Sequence, residues 1–69
     1  METRRVNEEF EDATYEIQIF NPETNSWRYV TNEFSISVAS QIMINLKNAT
    51  GFKSRVLSNR SNNMVLSEV

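Results

Sequence analysis

The apolar residues change their spacing partway along this chain, and that change limits the fold more than any single motif. In "TYEIQIF", Thr14 to Phe20, the residues Tyr15, Ile17 and Ile19 alternate with Glu16 and Gln18. A period of two sends one set to each face of a strand. From Ile36 the spacing becomes three and four: Ile36, Ala39, Met43 and Leu46, widened by Ile42 and Ala49. Ser37, Ser40, Gln41, Asn45 and Asn48 fall largely off that stripe, the pattern of an amphipathic helix of about three to four turns. Ser35 suits the N-cap, and Gly51, the only glycine, stands where a left-handed C-cap belongs, so the helix is expected to run to Asn48 or Ala49. Two features favour a strand instead: Ile36, Val38, Ile42 and Ile44 are β-branched, and "FSISV" alternates. The longer period and the placed glycine decide for the helix.

Between these two patterns lies "NPETNS", which holds the only proline, followed by "WRYVTNEF". Proline presets φ for a turn and Asn or Ser side chains bond back to local backbone, so the stretch predicts a hairpin. Its second strand carries Trp27 and Tyr29 on one face and Arg28 and Val30 on the other. Tyr15, Ile17 and Ile19 need a covered face, and Trp27 and Tyr29 are expected to share it as core. "FKSRVLS", Phe52 to Ser58, is a third strand, alternating Phe52, Ser54 and Val56 against Lys53, Arg55 and Leu57. The turn formers of "NRSNN" then precede a short apolar patch, Met64 to Leu66. Residues 59–69 are expected to be a disordered tail, with a short added strand as the alternative. Residues 1–13 are polar and acidic; Val6, Phe10 and Ala13 give them one weak helical stripe, against which stands a frayed segment that orders on a partner.

The expected architecture is therefore α+β: a ββαβ domain over residues 14–58, a three-stranded mainly antiparallel sheet with one covering helix. A helix joining strands two and three crosses one sheet face, and the third strand then lies beside the first, giving sheet order 2-1-3. The other face has no internal cover.

The cadence of "YEIQIF", a polar turn, "WRYV", a helix ending in glycine and a short basic strand resembles small ββαβ domains of bacterial and phage proteins. The resemblance spans residues 14–58. It implies the fold, and a small accessory protein that binds a host or partner protein.

Composition narrows the chemistry. With 69 residues the chain is one domain, of a size that buries only about 60% of its unfolded surface and leans on packing or a partner for stability. There is no Cys and no His. Disulfides, thiolate nucleophiles, the commonest general base and the commonest transition-metal ligand are all missing. No G-x-S-x-G, S-x-x-K or P-loop is present. "EEFED" offers oxygen ligands without the turn spacing of a calcium loop. No enzyme activity, catalytic residue, cofactor or metal is expected. Seven basic and nine acidic residues give a net charge of −2, without the basic excess of a general nucleic-acid binder. No run approaches the ~20 apolar residues of a membrane span, and the first residues lack a signal-peptide core. Asn48-Ala49-Thr50 and Asn59-Arg60-Ser61 match the glycosylation sequon but read as chance in an Asn-rich chain. The expectation is a soluble cytoplasmic protein.

Two functions remain in competition. The first is a small non-enzymatic protein-binding module that occludes or modulates an unidentified partner protein through its open sheet face or an edge strand. Phe20, Arg28, Val30, Lys53, Arg55 and Leu57 fall on strand faces opposite the apolar sets and make up its candidate surface, since arginine and aromatics anchor interfaces. A homodimer would also hide that face. The second is a nucleic-acid-binding domain, using Arg28, Lys53 and Arg55 with aromatic stacking.

Overall fold

The computed structural model describes residues 14–59 and 64–69. The acidic segment 1–13, with its Val6, Phe10 and Ala13 stripe, and the turn formers 60–63 lie outside the described residues. The chain is α+β. Strands β1 (Tyr15–Asn21) and β2 (Ser26–Glu33) precede helix α1 (Ile36–Thr50), and β3 (Ser54–Ser58) and β4 (Met64–Glu68) follow it. The strands form one sheet of order β2-β1-β3-β4, antiparallel at every junction.

Local chemistry sets the boundaries. Asn21 Oδ1 accepts from the Glu23 N–H at 2.9 Å and Asn25 takes a left-handed φ of 58°, so the turn closes without glycine. Ser35 Oγ accepts from the Val38 N–H at 3.3 Å and caps the helix start. At the other end Gly51 has φ 79° and returns its N–H to Lys47 O at 2.8 Å. Thr50 Oγ1 donates to Leu46 O at 2.7 Å, and Lys47 Nζ donates to Gly51 O at 3.4 Å. The helix thus stops where its only glycine permits the left-handed turn.

The core lies between α1 and one face of the sheet. Ile17, Ala39, Met43 and Val56 are buried there, with Tyr15, Ile42 and Leu46 packed against them. Register explains the fit: Ile17 faces Val56 across β1 and β3, while bulky Tyr15 and Ile19 face the small Ser58 and Ser54. Alternating large and small residues lets the helix settle close to the strands. The expected helical stripe holds at Ala39, Ile42, Met43 and Leu46, but Ile36 and Ala49 at its ends are exposed.

Two expectations are corrected. The sheet has four strands and not three: Met64–Glu68 pairs with β3 in the stretch expected to be a disordered tail. Backbone pairing to β3 organises residues whose own composition reads as turn and tail, and β3 becomes an inner strand in place of an edge. Phe52, expected to open the third strand, stands outside it and is exposed.

The second correction inverts a face. From Tyr15↔Glu33 to Ile17↔Thr31 the hairpin pairs without interruption, and then Gln18 pairs with Tyr29, leaving Val30 as an extra residue. Continuing the first register would set Tyr29 opposite Ile19 and Arg28 opposite Phe20, the arrangement alternation predicts. The bulge moves everything nearer the turn by one position, and one position reverses the face. Arg28 therefore faces Ile19 on the helix side, while Trp27 and Tyr29 join Phe20 and Gln18 on the outer face.

Candidate binding face

On the outer face the strands assemble a continuous row of side chains. Trp27 of β2 lies opposite Phe20 of β1, and their rings meet edge to face with centroids 5.3 Å apart. Arg55 of β3 lies opposite Gln18 of β1. Its guanidinium carbon sits 4.0 Å from the Trp27 ring centroid, and its Nε donates to Gln18 Oε1 at 2.7 Å. Gln18 in turn donates from Nε2 to Glu16 Oε2 at 2.8 Å, which turns its amide so that the oxygen meets the arginine. At the far end Lys53 Nζ stands 5.8 Å from the Phe20 centroid. Each contact fixes a neighbour, so the row is held in one arrangement before any partner arrives.

Two rings and two cations thus share one surface. Arginine over indole is the stronger cation–π pairing in proteins, and neither Lys53 nor Arg55 has a carboxylate within ion-pair distance among the described residues. Tyr29 extends the patch with 61% of its surface exposed. The patch offers apolar area, π faces and uncommitted positive charge.

The sequence-derived candidates divide. Phe20, Lys53 and Arg55 come together on this patch. Arg28 does not: it lies on the helix side, exposed, lining a groove of about 500 Å³ with Ile19, Pro22, Thr50 and Phe52 at the turn end of the hairpin. Val30 occupies the bulge, away from the row. Leu57 takes an outer-face position between Glu16 and Val65, but at 4% exposure it is buried and offers a partner nothing. Arg28, Lys53 and Arg55 therefore do not act as one cationic set. Trp27 and Tyr29, assigned to the core from alternation, are the residues missed at this surface. The signal was available only through the extra residue at Val30, which no composition cue marks.

No helix among the described residues is long and apolar enough to cross a membrane. Models of known protein families, curated protein sequences and solved structures were each compared with the chain, and none matches.

Proposed function

We propose that this chain is a non-enzymatic binding module whose outer sheet face docks a partner protein. The observation that carries the reading is the Phe20–Trp27–Arg55 cluster, ordered on the sheet face opposite the helix. Tryptophan, tyrosine and arginine are the residue types enriched at interface hot spots, and they work when clustered. The partner is a protein surface that presents carboxylates beside apolar groups, because among the described residues no carboxylate lies within ion-pair distance of Lys53 or Arg55. Binding is stoichiometric, and the partner is modulated by what the docked domain occludes.

The same rings and cations support a second reading, single-stranded nucleic acid stacked on Trp27 and Tyr29. Charge weighs against it. Among the described residues Arg28, Lys47, Lys53 and Arg55 are matched by Glu16, Glu23, Glu33 and Glu68. Glu16 and Glu68 hold outer-face register positions, and Glu68 is directly opposite Arg55. Nucleic acid is held chiefly by cations that displace the counterions condensed on its phosphates, and this face carries no basic excess to do so.

Titration with labelled single-stranded and duplex oligonucleotides at low salt separates the two. The protein-docking reading expects no binding in the micromolar range; micromolar binding that falls steeply with salt overturns it. Its positive arm is capture followed by titration of the purified captured protein. Affinity should drop at least tenfold for Trp27→Ala and for Arg55→Ala, and stay within twofold for Arg28→Ala on the opposite face. Equal losses from both faces would sink the assignment.

A further inference from the structure

The bulge that turns Trp27 and Tyr29 outward also carries Arg28 to the helix side, where outer-face docking gives it no task. Arg28 faces Ile19 there and lines the groove of about 500 Å³ at the turn end of the hairpin. That volume falls within the ~300–1,000 Å³ of small-molecule sites. The groove lies beyond the core, since none of Ile17, Ala39, Met43 and Val56 lines it. Ile19, Pro22 and Phe52 give it apolar walls, and Phe52 is 44% exposed.

Both walls are fixed before anything enters. On one side Asn21 Oδ1 accepts the Glu23 N–H at 2.9 Å, and Pro22 stiffens the turn between them. On the other, Gly51 returns its N–H to Lys47 O, and the Phe52 N–H donates to Thr50 Oγ1 at 3.1 Å. A groove held in this way loses little conformational freedom on binding.

The chemistry of the occupant follows from which polar groups are still uncommitted. Asn21 Oδ1 and Thr50 Oγ1 are engaged, the latter also donating to Leu46 O. The structural task open to Arg28 is to offset the negative end of the helix. Lys47 already does so, with its Nζ donating to Gly51 O at 3.4 Å. Among the described residues the Arg28 guanidinium and the Glu23 carboxylate form no ion pair, with each other or with any other group. One unpaired cation and one unpaired anion therefore stand at a single apolar groove.

We infer that this groove binds a short apolar peptide with both ends free, of about dipeptide size, its carboxylate on Arg28 and its ammonium on Glu23. Arginine takes a carboxylate through two parallel hydrogen bonds. A ligand bearing a carboxylate alone meets Glu23 as a like charge, and one bearing an ammonium alone meets Arg28 as one. Arg28 and Glu23 do not reach each other, so the ligand's charges must also stand apart. A second residue supplies that separation, adding ~3.3–3.6 Å of extended chain.

The groove is on the other side of the sheet from the Trp27 cluster, so its test is independent of outer-face docking. Backbone amide spectra of the full chain are followed during titration with leucyl-phenylalanine, with its N-acetyl form and with its C-terminal amide. The free dipeptide should saturate with a dissociation constant of about 1 mM or below. It should move the amides of Ile19, Arg28, Gly51 and Phe52 and leave those of Arg55 and Leu57 in place. Blocking either end should weaken binding about three- to fivefold, the scale of one partly exposed ion pair. Arg28→Gln should abolish the preference over the amide while keeping the preference over the acetyl form, and Glu23→Gln should do the reverse. Phe52→Ala should weaken all three ligands alike. Equal affinity for the three forms, no saturation by about 10 mM, or shifts centred on the outer face overturns the inference. The three-ligand comparison uses the unaltered chain and decides the matter even if a variant fails to fold.

Discussion

The two faces of this sheet are built on different physics. On the helix side, Ile17, Val56, Ala39 and Met43 are held by exclusion of water and close packing. On the outer side, Phe20, Trp27, Arg55, Gln18 and Glu16 are held by directed contacts: a ring edge, a guanidinium over a ring, two hydrogen bonds. A water-excluded face stabilises the domain and is inert towards partners. A directed face, half-buried at Phe20, Trp27 and Arg55 and closed only at Leu57, contributes less to stability and remains available. One strand, β1, supplies both, since Ile17 and Gln18 are neighbours in sequence. A residue's face, more than its type, decides which role it has.

Substitutions that separate stability from docking are the direct way to break this contrast. The largest stability loss is expected at the centre of the helix side. Ile17→Ala removes a fully buried side chain and should cost about 2–5 kcal/mol in denaturant titration. For a domain of this size such a loss leaves little folded protein at ambient temperature. Trp27→Ala on the outer face should cost less, about 1–2.5 kcal/mol, from an edge-to-face pair worth ~0.5–1.5 and a cation–π contact worth ~0.5–1. If Trp27→Ala proves as damaging as Ile17→Ala, the outer face is a second core and the contrast fails.

Helix ends give smaller effects that test the frame common to both faces. Gly51→Ala puts a Cβ at φ 79°, where nothing lies within 4 Å, so the whole cost is backbone strain, about 1–2 kcal/mol. Gly51→Asn should recover part of it, because Asn tolerates the left-handed region. Ser35→Ala removes the cap on Val38 N–H and should lower stability by about 1 kcal/mol. Thermal melts of the three variants check the order.

How much of this was legible in the sequence follows from which signals are local. The helix was, because Ser35, the 3-4 stripe and Gly51 each act on residues within a turn of themselves. The first strand was, because Tyr15, Ile17 and Ile19 alternate without interruption. The identity of the outer face was not. Alternation fixes faces only while the register runs unbroken, and the extra residue at Val30 is a property of the pairing with β1, invisible in "WRYVTNE" itself. β4 stood only as the alternative to a disordered tail for a related reason: "MVLSE" pairs along β3, a partner its own composition does not reveal. Phe20 and Arg55 stand on the outer face, where alternation puts them, because they lie on β1 and β3, whose mutual register has no bulge; Lys53 precedes β3.

The smallest predicted effect sharpens the contrast from the helix side. Ser54 lies there opposite Ile19, is fully buried, and its Oγ has no hydrogen-bond partner. A buried hydroxyl without a partner carries a desolvation penalty of about 1–3 kcal/mol, whereas a methyl of similar size carries none. Ser54→Ala should therefore be neutral or stabilising, by up to about 1 kcal/mol once the lost volume is set against the relieved penalty. The site suits the swap, because the position needs a small side chain to leave room for Ile19, and alanine keeps that. Gln18→Ala on the outer face should behave in the opposite way. It removes the acceptor of Arg55 Nε, frees the guanidinium from its place over Trp27, and should weaken docking while scarcely changing the melt. A destabilising Ser54→Ala paired with a silent Gln18→Ala would mean that polar contacts hold the helix side and packing holds the outer one, the reverse of the division argued here.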